Sequence, residues 1–169
     1  SILISAQDDF YDNLQLGDKQ KIDFYSACQN IIEGKRDKTP SKNKQFTELI
    51  NLWKEIINEV NSTSSHLYVY WRKKAMELNK AMIIENNILR KKDITFNDYM
   101  EISVDSIGIK FLWSTYLTQK NISNTSLKKI DQTLSVGARV VRLSNDVASY
   151  RRKKNKVNAV SILKNKNSP

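Results

Sequence analysis

Apolar positions recur with a helical period along almost the whole chain. Ile2, Leu3, Ile4, Ala6, Phe10, Tyr11 and Leu14 predict a helix within residues 1–16 that opens without an N-cap. A second pattern runs from Lys19 to about Glu33 through Ile22, Phe24, Tyr25, Cys28, Ile31 and Ile32, and stops at Gly34, where a C-terminal cap is expected. The polar stretch KRDKTPSKNK reads as a loop. From about Gln45 to Val60, Phe46, Leu49, Ile50, Leu52, Trp53, Ile56, Ile57 and Val60 fall close to a 3.6-residue period. A long amphipathic segment follows from about Ser64 to Leu89, and its Tyr68, Tyr70 and Trp71 are expected to pack in the core. Thr95 to Asp98 reads as a capping box, and the segment YMEISVDSIGIKFLWSTYL after it is expected to be buried because it is too apolar for a surface helix. A final long helix is expected from about Ser126 through Tyr150, with another starting near Val157. The expected fold is all-α: seven or so helices in one bundle, with residues 1–169 as a single domain and no internal repeat or linker.

Composition supports that reading. Hydrophobic residues make up 40% and charged residues 27%, with 4 Gly and 2 Pro, as suits a helical protein rather than a disordered chain or a turn-rich sandwich. Cys28 is the only cysteine and His66 the only histidine, which excludes an intrachain disulfide framework and a zinc site of Cys and His. A reducing, cytoplasmic compartment is expected. No apolar run approaches the roughly 20 residues needed to span a bilayer, so the chain reads as soluble, without stable membrane insertion. The net charge of +10 raises nucleic acid as a partner. Its lysines are spread along the chain as on solvated faces, so no nucleic-acid partner is expected.

Two short motifs carry candidate chemistry. In 8-DDFYD-12, Asp8 and Asp12 lie one helical turn apart on a shared face, with Asp9 beside them. Such carboxylates can hold a hard cation such as Mg2+, which takes one or two protein carboxylates and fills its shell with water and phosphate oxygens. An acidic helix end is the equally weighted alternative. The second motif is Asn145 and Ser149, again four apart, each offering an uncharged oxygen. A third oxygen ligand would fall at position 153, where this chain has Lys153.

An Asp-rich helix, a long helical middle, then R-L-x-N-D-x-x-S-Y and the tail 156-KVNAVSIL-163 together resemble the class I terpene synthases, more narrowly diterpene synthases of the kaurene-synthase type. The segment 95-TFNDYMEISVDSIG-108 shares in the likeness, which extends from about Ser5 to Leu163.

The resemblance implies a helical bundle of the class I terpenoid synthase type (α domain). It also implies a cluster of three Mg2+ ions held against a prenyl diphosphate substrate, either geranylgeranyl or copalyl diphosphate, with farnesyl diphosphate as the alternative. Asp8, Asp9 and Asp12 would serve the first metal motif, and Asn145 and Ser149 the second. Arg142 would contact the diphosphate, with Lys156 assisting, and Ile102, Ser106 and Ile107 would line the cavity beside a helix break at Gly108. Ser103 stands where bacterial sesquiterpene cyclases often have an arginine, which favours the diterpene type. A monomer or homodimer is expected. Relatives have further helices on both sides, so a parent polypeptide longer than 169 residues is expected, and the chain alone would be open and inactive. The ammonium of Lys153 would repel Mg2+. Three explanations stand: a short stretch omitted around residues 152–155, a true deletion in an impaired relative, or a two-ligand variant with water in the third place.

Overall fold

The computed structural model describes residues 2–13, 15–36, 42–62, 65–88, 94–120, 122–150 and 158–166. Every regular element among them is a helix: α1 (Ile2–Asp12), α2 (Asp18–Ile32), α3 (Lys44–Asn61), α4 (Ser65–Ile88), α5 (Phe96–Ser106), α6 (Ile109–Leu117), α7 (Asn124–Tyr150) and α8 (Ala159–Lys166). The all-α expectation is met. None of the described helices is long and apolar enough to cross a membrane.

Local sequence explains most of the boundaries. Helix α1 stops at Asp12, short of the expected end, because the Asn13 side chain accepts from the Gln15 amide at 2.9 Å and diverts the chain into a turn. At the end of α2 the Gly34 amide donates to the Ile31 carbonyl and the Lys35 amide to that of Asn30, a Schellman closure. Gly34 takes the positive φ, 75°, that this closure requires. The side chain of Asn43 caps α3 by accepting from the Phe46 amide at 3.1 Å. Thr95 caps α5 in the same way, accepting from the Asp98 amide. The return half of the expected box is replaced by the Thr95 hydroxyl donating to the Asp98 carboxylate at 2.6 Å.

Helix α4 is the central post, packed against α1, α2, α5 and α6. Its Trp71, Ala75, Leu78 and Met82 form one buried stripe at helical spacing. Phe111 of α6 lies between Trp71 and Trp53, with ring centroids 5.8 and 5.4 Å away. Phe10, Phe24 and Phe46 join α1, α2 and α3 in an aromatic knot. Each such ring contributes roughly 1.5–3 kcal/mol through burial. A second cluster, built from Tyr99, Met100, Val104, Ala138, Ala159 and Ile162, holds α5, α7 and α8 together.

The expected burial of the whole 99–117 run is corrected. Gly108 breaks it into α5 and α6, and α6 buries Phe111, Ser114 and Leu117 while exposing Leu112, Trp113 and Tyr116. One face of a nine-residue helix meets the core, so apolar content alone overstated its burial.

Candidate functional site

The rotation of α1 is set by a buried amide network. Gln7 is fully buried; its Nε2 donates to Asn79 Oδ1 at 3.1 Å and its Oε1 accepts from Trp53 Nε1 at 3.1 Å. Asn79 Nδ2 donates in turn to the Tyr25 carbonyl and to Gln29. With Leu3, Gln7, Phe10 and Tyr11 turned inward, Asp8 and Asp9 stand exposed and Asp12 half-buried. The C-terminal end of α1 is tied down through the Tyr11 carbonyl. It accepts from Asn86 Nδ2 at 2.7 Å and from the buried Lys21 ammonium, a cation suitably placed at a helix C-terminus.

The preceding residue of α4, Glu85, reaches α7 and pairs with Arg142 Nη2. Neighbouring residues in the last turns of α4 therefore hold both motif-bearing helices: Asn86 next to Asp12, and Glu85 at the turn before Asn145. The α5–α6 break links the two sides again. Gly108 has φ 76° and lies against Ile4 of α1, while Ile107 and Ile109 pack on the cluster that contains Ala138 of α7.

Arg142 sits in a compact polar centre. Its Nε donates to the Tyr99 hydroxyl at 2.9 Å and lies 3.3 Å from Asp146 Oδ1. The Tyr99 hydroxyl donates to Asp146 Oδ2 at 2.8 Å, and the Ala159 amide donates to the same oxygen at 3.0 Å. Burial pulls the Arg142 guanidinium down, but Glu85, Tyr99 and Asp146 outweigh it and hold its pKa above the ordinary value. Burial pushes the Tyr99 hydroxyl up; Arg142 opposes this and Asp146 adds to it, leaving the phenol protonated well beyond neutral pH.

Of the second motif, Asn145 is exposed and Ser149 buried, its Oγ 3.4 Å from the Asp146 carbonyl. Lys153 and Lys156 lie outside the described residues. Of the expected lining, Ile102 and Ile107 are half-buried and Ser106 is buried, donating to the Ser103 carbonyl at 3.1 Å. The Ser103 hydroxyl is itself buried with no hydrogen-bond partner among the described residues.

Sequence reasoning missed Glu85, the contacts of Tyr99, and Asp146. One signal was readable: Arg142 and Asp146 stand at i and i+4, a spacing that favours an ion pair. A second lies in NAVS, where Asn158 Oδ1 accepts from the Ser161 amide and Ser161 Oγ from the Asn158 amide, both at 2.9 Å, a reciprocal capping box for α8.

Among the described residues, no group of three or more His, Cys, Asp or Glu side chains stands close enough to hold a metal alone. The donors presented by the two motifs are all oxygens, carboxylate from α1 and amide and hydroxyl from α7. That set fits a hard cation completing its shell with water and phosphate, and does not fit a soft metal. A groove of about 410 Å3 lined by Arg72, Met76 and Lys80 contains none of the motif residues.

No curated protein sequence shows a significant match to this chain. A family model described as terpene synthase family 2, C-terminal metal binding, matches residues 1–168. The chain, helical in every regular element among the described residues and bearing oxygen-donor motifs on α1 and α7, therefore belongs to the metal-binding terpene synthases.

Proposed function

We propose that this chain is the central part of a class I terpene synthase α domain of the diterpene type, acting on geranylgeranyl or copalyl diphosphate with Mg2+. The observation that carries the reading is the joint anchoring of α1 and α7 to the last turns of α4, through Asn86 and Glu85. Tyr11, directly before Asp12, and Arg142, one turn before Asn145, are thus tied to adjacent residues of α4, which supports reading the two motifs as parts of one site.

In this reading Asp8, Asp12, Asn145 and Ser149 hold the cations, with Asp9 as a neighbouring ligand. Mg2+ ions, three in number, supply positive charge that favours departure of the diphosphate. The contacts described for Arg142 use Nε and Nη2. Its remaining edge is the one that meets the diphosphate, with Lys156 assisting, and Glu85 and Asp146 hold the guanidinium in place as charge develops. Ile102, Ser106 and Ile107 contribute cavity wall that keeps water from the hydrocarbon cation. The enzyme works in the cytoplasm as a monomer or homodimer. Farnesyl diphosphate is the second substrate reading, and Lys153 in the place of a third ligand supports a catalytically impaired relative.

The test is incubation of the protein in its parent polypeptide with Mg2+ and, separately, farnesyl, geranylgeranyl and copalyl diphosphates, with products identified by mass. A cyclised C20 hydrocarbon or alcohol is expected. A C15 product would establish the farnesyl reading, and no product from any substrate would overturn the enzyme reading. Exchanging Asp8 and Asp12 together for Ala is expected to lower kcat by more than about 100-fold, beyond the upper end of what losing a group that only orients a metal ligand costs.

A further inference from the structure

We infer that Asp146 is a positioning residue for the α7 wall, using one buried carboxylate to fix the oxygen donors beside it relative to α5 and α8. The inference rests on the diphosphate-and-metal reading above and deepens it. Asp146 lies between the two proposed ligands of α7, directly after Asn145 and three residues before Ser149. It is 3% exposed, so its charge must be satisfied by protein groups.

Three partners do this from three elements. Oδ2 accepts from the Tyr99 hydroxyl of α5 at 2.8 Å and from the Ala159 amide, the first of α8, at 3.0 Å. Oδ1 faces Arg142 Nε of α7 at 3.3 Å. Residues 151–157 separate α7 from α8 in sequence, and this carboxylate joins the two helices directly across that interval. Ala159 is itself buried. The capping box satisfies the amides of Ser161 and of Asn158 itself, and the Asp146 carboxylate takes that of Ala159, the first of α8. An anion at a helix N-terminus is also favoured by the helix dipole.

The arrangement demands an acceptor at both oxygens. An asparagine at 146 with its oxygen towards Tyr99 and Ala159 would turn its NH2 on Arg142. Flipped, it would turn the NH2 on the Ala159 amide. Either orientation sets donor against donor. The backbone carrying Asn145 and Ser149 then loses its register against α5 and α8, and the cation wall loosens.

The probe is Mg2+ with inorganic pyrophosphate, added to the protein in its parent polypeptide, with thermal stability followed with and without the pair. Wild type is expected to gain several degrees from the two together. Asp146→Asn is expected to lose most of that gain, and in turnover assays to need about tenfold more Mg2+ for half-maximal rate, the lower end of the range for groups that orient metal ligands. A merely structural role would lower the starting melting temperature while leaving both the ligand-induced gain and the Mg2+ requirement unchanged, and that result overturns the inference. Absence of any gain in wild type overturns the diphosphate reading, and the inference with it. Should Asp146→Asn not fold, Tyr99→Phe removes one of the three donors and keeps the ring. It is expected to raise the Mg2+ requirement about threefold or more, by the same argument on a smaller scale, and an unchanged requirement overturns the inference.

Discussion

Gly34, Gly108 and Gly137 put one residue type into three physical situations, and alanine separates them. Gly34 has φ 75° with nothing within 4 Å of where a Cβ would stand, so alanine there meets backbone strain alone, about 1 kcal/mol. Gly108 has φ 76° and a Cβ there would come within 2.4 Å of Ile4 Cδ1 and 3.1 Å of two further Ile4 carbons. Strain and collision add, and Gly108→Ala is expected to cost about 2–3 kcal/mol. Gly137 lies inside α7 with open space around it, and alanine should stabilise the chain by roughly 0.5–1 kcal/mol. Denaturant midpoints of the three variants check the order; a Gly108→Ala no worse than Gly34→Ala would mean that Ile4 gives way freely. Gly34 was legible in sequence because a glycine after a helical pattern has a local cause. The bend at Gly108 was expected from family likeness, whereas its contact with Ile4 joins positions 104 residues apart in sequence, which no local pattern encodes. Glu85 escaped for the same reason: its partner Arg142 lies 57 residues away.

Helix α8 has eight residues, too few to persist by propensity, so its ends decide whether it forms. Its N-terminus is held by the Asn158 and Ser161 box together with the Asp146 carboxylate. Asn158→Ala removes the acceptor for the Ser161 amide and is expected to cost about 1 kcal/mol, localised to α8. Hydrogen exchange checks this: amides of Ser161 and Ile162 should exchange about fivefold faster while those of the α4 stripe stay unchanged. A uniform change across the molecule would show that α8 unfolds only with the whole. At this scale sequence reading did well where one face of a helix meets the core, as in α3, whose Phe46, Leu49, Ile50, Trp53 and Val60 are all buried. It failed at α6, where Trp113 and Tyr116 are exposed despite an apolar run, since periodicity identifies a helix but composition does not say how many of its faces have neighbours.

Across the molecule, α7 is held at both ends by charge as much as by apolar contact. Its Val136, Val140 and Val147 are exposed, and its buried set is Leu127, Ala138, Asp146 and Ser149. Near its start, Asp131 meets the buried Lys74 of α4 at 2.7 Å and accepts from the Tyr70 hydroxyl at 3.0 Å. Near its end, Arg142 meets Glu85 of the same α4. The helix bearing the second motif is therefore bolted to the post that also anchors α1, and the first bolt can be tested by pH. Burial raises the Asp131 pKa, but hydrogen bonds and charge from Lys74, with Tyr70, bring it below its ordinary 3.8. Burial lowers Lys74, but Asp131 and Glu77 carry it above its ordinary 10.5. The depressed carboxylate contributes stability that is fully present above its unfolded pKa and is lost as pH falls through the folded value. The raised ammonium contributes stability that is fully present below its unfolded pKa and is lost as pH rises through the folded value. The pair should thus contribute a constant amount between about pH 5 and pH 9 and fade below about pH 4. Asp131→Asn leaves the Lys74 charge short of a partner; because Asp131 is a third exposed, the cost at neutral pH is expected to be about 1–2 kcal/mol rather than that of a fully buried pair. The variant's penalty, measured by urea unfolding at pH 7 and again at pH 3, should shrink at the lower pH, which lies below the ordinary carboxylate value, so that proton uptake on unfolding has removed part of the wild-type advantage. A penalty equal at both values would show that Asp131 acts through packing and its Tyr70 hydrogen bond, and that α7 needs no charge at this end to stay on the post.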